Sequence, residues 1–397
     1  MAEYKLKGLA TERIKAGGKL VKTLDFQNED KAKHLVEGTV VILNDVNQNF
    51  LGKMLVGRQN KGLGWIITNY QDQYWDETFV YYALEDAIQN REHFFNSEAT
   101  TAFRLFNGEG DGIGGVTIDR YGHFLLINWY SQGIYEYREW FLEAIKELLP
   151  AVKGVYETIR FQTNELELIS LVSGDEAPKP LIIRENNIQY AVYLGESWMT
   201  GIFLDQRDVR DFIRTQANES MSVLNVFSYT GAFSVAAAVG GSKRTVSVDV
   251  ANRSLELTSE QFEVNDLQFK ESAHEVRVMD VFNYLDYALK NHITYDLVIS
   301  DPPSFARSKK LIFRVEKNYP KLAEQLFKLT NPNGLTILST NNSKYLIEDF
   351  QRDMVELTQN LEGTYYLIQK FELPEDFPTS QDEESNYLKV LVFYREN

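Results

Sequence analysis

Val223-Leu-Asn-Val-Phe-Ser-Tyr-Thr-Gly231 is followed along the chain by Ser247-Val-Asp249, Met279-Asp280 and Val298-Ile-Ser-Asp301-Pro-Pro-Ser-Phe305. The apolar run Val223, Leu224, Val226 stops in a turn at Ser228-Tyr-Thr-Gly231, and the Ala-rich stretch 232–239 has helical character, so the spacing predicts strand, turn and helix. A second apolar strand, 245–248, ends on Asp249. Asp280 ends the next segment, and 295–300 reads as a buried strand ending on Asp301. Strands alternating with helices predict a doubly wound α/β sheet, whose ligand sits beyond the carboxyl ends of the strands, near the first helix N-terminus.

The acidic strand ends suggest which ligand. Asp249 lies eighteen positions past Gly231, the place of a carboxylate that bonds both ribose hydroxyls of a nucleoside. Asp280 is placed to accept from the exocyclic amine of adenine. The turn has one glycine where a dinucleotide's pyrophosphate needs three, so the pattern favours the phosphate-free sulfonium cofactor S-adenosylmethionine over NAD. Bland alternatives stand beside these readings: Gly231 as an ordinary turn glycine that is close to no ligand, and Asp249 as an N-cap for the segment from Asn252. Asp301-Pro-Pro-Ser-Phe305 is the sharpest motif, because two prolines forbid both helix and ladder and leave a rigid loop. Such a loop can hold a reacting base, with Phe305 stacking on it; the alternative is a stiff turn around a buried aromatic. Arg307, Lys309, Lys310, Arg314 and Lys317 follow and would meet phosphates, or form a solvated face.

On Gly201-Ile-Phe-Leu-Asp-Gln-Arg207, Asn225-Val-Phe-Ser-Tyr-Thr-Gly231, Val248-Asp249 and Asp301-Pro-Pro-Ser-Phe305, the whole chain resembles the class I S-adenosylmethionine-dependent ribosomal RNA large-subunit methyltransferases with an N-terminal PUA domain. The resemblance implies a Rossmann-like seven-stranded sheet, an N-terminal PUA-like β-barrel and a central α+β domain. It also implies that Phe203, Asp205, Gln206, Arg207, Asn225, Phe227, Ser228, Tyr229, Thr230, Gly231, Asp249, Asp280 and Asp301 line the cofactor site. The bland reading of Asp205 and Arg207 is a surface salt bridge.

One departure carries chemistry. Many such enzymes make 5-methylcytosine, which needs a cysteine thiolate to add to C6 of the ring, and this chain has no cysteine. Where those relatives carry the cysteine, the sequence reads Thr340-Asn341-Asn342-Ser-Lys344, and an amide is no nucleophile. The motifs resemble the branch that methylates guanine N7, an exposed lone pair that needs alignment more than activation. Asp301, Pro302, Pro303, Phe305 and Asn341 are the catalytic candidates, with Asn341 or Asn342 reading O6 or N7; a strand-end turn is the alternative for the two asparagines, and an exocyclic amine is the next target.

Composition frames this reading. The 397-residue chain, 44% hydrophobic, predicts two or three domains, divided as 1–73 (PUA-like), 74–180 (central) and 181–397 (methyltransferase). No signal-peptide core or membrane span is visible, so a cytoplasmic protein is expected. Without cysteine there are no disulfides or thiolate metal sites. The five histidines, at 34, 93, 123, 274 and 292, have no ligand spacing, so no metal is expected. The net charge of −16 opposes nonspecific nucleic-acid binding. Basic residues nonetheless crowd the first segment, and Lys15 and Lys19 join Arg307, Lys309 and Lys310 as RNA-contact candidates. Ribosomal RNA is the expected partner, with no membrane and with a homodimer left open. Gly-rich 108–115 precedes a strand, which reads as a turn between antiparallel strands and not as a phosphate cradle. The acidic stretch 374–385 reads as a mobile loop near the substrate mouth. Two other functions stay open: a noncatalytic RNA-binding or ribosome-assembly protein, and a Rossmann oxidoreductase.

Overall fold

The computed structural model describes residues 1–269, 273–307 and 312–396. The chain divides into two compact units, one of 1–183, 193–200 and 375–386, the other of 184–192, 201–374 and 387–397.

The second unit is built on a seven-stranded sheet: β1 (Ser222–Val226), β2 (Arg244–Asp249), β3 (His274–Val278), β4 (Tyr295–Ser300), β5 (Thr330–Thr340), β6 (Thr364–Phe371) and β7 (Lys389–Glu396). Their spatial order is β3-β2-β1-β4-β5-β7-β6. β1 to β5 pair in parallel, and β7 runs antiparallel to both β5 and β6. Strand order reverses at β1, which lies between β2 and β4, and a doubly wound sheet opens its ligand crevice at the carboxyl ends there. Helices α1 (Arg207–Gln216), α2 (Ala232–Val239), α3 (Ser254–Glu263), α4 (Val281–Lys290), α5 (Val315–Lys328) and α6 (Ile347–Thr358) belong to the same unit. Leu224, Val226, Val246, Val248, Val298 and Leu338 of the central strands are all buried, packed with Leu322, Ala323 and Leu326 of α5. A parallel sheet covered on both faces requires such continuous apolar runs.

The first unit holds two further sheets. Glu3–Lys5, Val40–Asn44, Phe50–Gln59, Gly62–Thr68 and Leu20–Val21 form one, in that spatial order. Two short helices, Gly8–Lys15 and Glu29–Lys33, interrupt the expected run of strands; at this length they depend on packing rather than on helical periodicity. Ile169–Gly174, Gly154–Ile159, Phe124–Trp129, Val116–Tyr121 and Ala102–Asn107 form the other. The glycines at 108–115 connect the antiparallel strands Ala102–Asn107 and Val116–Tyr121, as expected.

The acidic segment is where the expectation fails. Residues 375–386 belong to the first unit and are held there by their own carboxylates. Asp382 Oδ2 accepts from the backbone N–H groups of Lys19 (2.6 Å) and Leu20 (2.9 Å), and Asp376 Oδ2 accepts from that of Arg104 at 2.8 Å. Both aspartates are buried. A buried carboxylate must be satisfied, and in this segment it binds the chain down; charge and proline content alone read as a solvated loop.

Candidate cofactor and base site

The turn after β1 has an unusual backbone. Phe227 (φ 59°), Tyr229 (φ 53°) and Gly231 (φ 77°) are all left-handed, and bulky residues enter that region only where the surroundings enforce it. The enforcing bonds are local: Ser228 N–H donates to Val248 O at 3.1 Å, Tyr229 N–H to Asp249 Oδ2 at 2.8 Å, and Thr230 Oγ1 to Gly201 O at 2.7 Å. The last bond joins the two segments 201–207 and 225–231. Gly231 is required for packing, because a Cβ there would lie 2.6 Å from Thr258 Cγ2 on α3.

Asp249 is not a helix N-cap, since α3 begins at Ser254 with Arg253 in that position. Its carboxylate accepts from Tyr229 N–H and, at 2.9 Å, from Ala251 N–H, which leaves lone pairs for ribose hydroxyls. Asp280 does cap a helix: its Oδ1 accepts from Asn283 N–H at 3.1 Å at the start of α4. Asn225 is buried in β1, its Nδ2 donating to Ser234 Oγ of α2 at 3.1 Å. Among the described residues Ser228 Oγ and Asn225 Oδ1 are buried without a hydrogen-bond partner. With a turn that offers no repeated glycine cradle, these groups fit a nucleoside carrying no phosphate.

Segment 201–207 supplies the other wall. Phe203 is 48% exposed, its ring 5.5 Å from that of Tyr229. Arg207 is buried and opens α1, so it is no surface ion pair; its Nε lies 3.7 Å from Asp208 Oδ1. Asp205 Oδ2 accepts from Tyr387 O–H at 2.8 Å, and Gln206 Nε2 donates to Ser339 Oγ at 2.9 Å. Behind them Arg210 grips Glu185 through both oxygens, at 2.6 and 2.7 Å, and donates to Phe203 O at 2.7 Å. Burial alone would lower Arg210's pKa, but the Glu185 carboxylate overrides it and keeps the guanidinium charged.

Asp301 stands at the end of β4. Burial pushes its carboxyl up to about 6, and the charge of Asp205 adds to the effect, while hydrogen bonds from Ser339 and Gln206 and the charge of Arg210 oppose it. The acid is therefore poised near neutrality. Pro302 is buried and Pro303 exposed. Ser304 Oγ donates to Asn341 Oδ1 at 2.5 Å, bringing the loops after β4 and β5 together. Phe305 and Arg307 lie in a short strand, Phe305–Arg307, of which only the backbone is described and which runs antiparallel to Ile312–Arg314; Lys309 and Lys310 lie outside the described residues.

Sequence reading missed Tyr387, Ser339, Arg210 and Glu185. Ser339, at the carboxyl end of β5, follows the strand-end rule that found the aspartates; Tyr387 and the ion pair carry no local signal.

In the first unit Lys15 is exposed, 3.6 Å from Glu12. Lys19 is half-buried, and burial lowers its pKa against the pull of Glu109, Asp111 and Asp382. Lys7, Arg13, Lys22 and Lys33 pair with Glu29, Asp25, Glu384 and Asp30, so much of the N-terminal positive charge is met within the protein. Among the described residues no cluster of His, Cys, Asp or Glu could hold a metal ion, and no helix is long and apolar enough to cross a membrane.

Comparison with known proteins places these features. The S-adenosylmethionine-dependent methyltransferase family model matches residues 159–394, and a PUA-like domain model matches residues 5–69. A Bacillus subtilis (strain 168) protein, YwbD, named as a candidate ribosomal RNA large subunit methyltransferase, is 45% identical over 98% of both chains. Ribosomal RNA large subunit methyltransferase I of Yersinia pseudotuberculosis is 28% identical over 89% of this chain and 90% of its own. A crystal structure of a candidate methyltransferase complexed with SAH superimposes with a TM-score of 0.91 at 39% identity, covering 99% of this chain and all of that one.

Proposed function

We propose, from the premise that this chain belongs to the S-adenosylmethionine-dependent methyltransferase family, that its substrate is large-subunit ribosomal RNA and that it methylates guanine at N7. The names of the relatives support the RNA class. The observation that carries the choice of atom is the meeting of the Asp301 loop with Asn341 through Ser304 in a chain with no cysteine.

When bound, S-adenosylmethionine supplies an electrophilic methyl group; Asp249, Asp280, the 227–231 turn and Phe203 are the residues that would hold it. The protein's remaining task is modest, because N7 presents its lone pair without losing a proton. Positioning the ring in line accounts for most of the catalysis. Methylation leaves the imidazole part of guanine positively charged, and the Asp301 carboxylate stabilises that charge in the transition state. Asn341, oriented by Ser304, presents its amide N–H to O6 and leaves the N7 lone pair free to attack. Pro302 and Pro303 hold the Asp301 loop stiff. The expected locale is the cytoplasm, where ribosomal RNA is made and modified.

Asp301→Ala tests the assignment: methyl transfer is lost while S-adenosylmethionine affinity stays within about tenfold, about 1.4 kcal/mol. Retained turnover removes Asp301 from the chemistry.

A further inference from the structure

We propose that Trp198, backed by Arg160, is a stacking platform for an unpaired base of the RNA substrate; this rests on the reading of the substrate as RNA. Of the five tryptophans, Trp198 alone is an exposed residue, at 46%, and Met199 beside it is exposed at 51%. Trp65 and Trp129 are buried, and Trp75 and Trp140 pack against each other at 5.7 Å, with Tyr137 against both. An indole left half in water forgoes a large burial gain, and at Trp198 neighbouring groups hold it in place.

The holding groups are fixed from beneath. The Arg160 guanidinium lies over the Trp198 ring, 5.0 Å from its centroid, and Nη2 donates to Trp198 O at 2.7 Å. Nε and Nη2 both reach Asn128 Oδ1 at 3.3 Å. Asn128 is buried in strand Phe124–Trp129 and also accepts from Thr158 Oγ1 at 2.5 Å. The loop is closed on either side of the indole: Tyr193 N–H donates to Thr200 O at 2.8 Å, and Ser197 Oγ donates to Met199 O at 2.6 Å. Thr200 Oγ1 is also 3.1 Å from Tyr121 O–H. Among the described residues Arg160 Nη1 takes no partner, which leaves a donor for a phosphate oxygen.

A held aromatic face with a cation behind it and a free N–H at its edge matches what single-stranded RNA offers, a π-face and a phosphate. Recognition of this kind is tolerant of base identity. A cationic peptide would meet repulsion from Arg160, and a purely apolar partner would leave Nη1 unused.

The test uses the full chain and a single-stranded fragment of large-subunit ribosomal RNA that the wild type methylates. Indole fluorescence of the wild type is expected to be quenched on RNA addition, with most of that quenching lost in Trp198→Phe. Trp198→Ala is expected to raise KM for RNA about tenfold with kcat and S-adenosylmethionine affinity unchanged, and Trp198→Phe to stay within about threefold of wild type. A wild type that methylates the RNA without quenching overturns the platform alone, as does an unchanged KM in a folded Trp198→Ala. Should Trp198→Ala fail to fold, the quenching of the wild type and its loss in Trp198→Phe still decide. A wild type that neither binds nor methylates RNA overturns the substrate reading, and the platform with it.

Discussion

Asp205→Asn should move the acid limb of the methyl-transfer rate to lower pH. Asp301 is held at about 6 against an ordinary value of 3.8 by burial and by the charge of Asp205, a difference that corresponds to about 3 kcal/mol favouring the protonated acid. If the carboxylate stabilises the charge growing on the base, kcat rises with pH through about 6, and at pH 5 the wild type runs at about a tenth of its plateau. Asparagine removes the neighbouring charge, keeps an oxygen for the Tyr387 hydroxyl, and leaves burial in place. The limb should then move below about 6, and activity at pH 5 should rise above the wild type's tenth as a fraction of the variant's own plateau. The assay is single-turnover transfer of labelled methyl at saturating cofactor, from about pH 4.5 to about pH 8. Stability carries the opposite sign. The folded chain binds this proton more tightly than the unfolded one, so its contribution is complete below about pH 4 and lost as pH rises through about 6. Asp301→Asn should therefore gain stability relative to wild type across that window. A wild-type rate that is flat from about pH 5 to about pH 8, or an Asp205→Asn limb that stays put or moves upward, refutes the reasoning.

Gly231→Ala combines a left-handed residue, costing about 1–2 kcal/mol, with a Cβ 2.6 Å from Thr258 Cγ2, costing about 1–3 kcal/mol; a denaturation cycle with Thr258→Ala should recover the second cost and not the first. Glu185→Gln strands the buried Arg210 and should destabilise by about 3–5 kcal/mol, with cofactor affinity falling because Arg210 also holds Phe203 O; equal melting temperatures would contradict this. Asp249→Ala removes the acceptor for two backbone N–H groups of the cofactor turn, and calorimetry should show at least a roughly tenfold weaker S-adenosylmethionine complex, about 1.4 kcal/mol. An unchanged thermal shift on cofactor addition in that variant would remove Asp249 from the site.

The parallel core was legible because buried strands on both faces write themselves as continuous apolar runs: 223–226, 245–248 and 295–300 lie where they were expected. The turn at Asn186-Asn187, between the paired strands Leu181–Glu185 and Ile188–Val192, uses asparagine's tolerance of the left-handed φ of 48° and 66° found there. What the sequence hid is long-range. Nothing near Asp382 says that its carboxylate will close on the backbone at residues 19 and 20, so an acidic run looked like a loop. Nor does a glycine or proline mark the break at Arg91 between helices Glu77–Asn90 and Glu92–Phe95. At the site, motifs named residues that meet, such as the 201–207 and 225–231 segments through Thr230. They did not reveal Tyr387, which reaches Asp205 from a distance of 182 residues along the chain.

The most direct test of the central claim is to incubate the protein with labelled S-adenosylmethionine and ribosomal RNA from a strain lacking this gene, then identify the labelled nucleoside by mass spectrometry. Label in 7-methylguanosine is the predicted result. Label in 5-methylcytidine, or none despite cofactor binding, would contradict it.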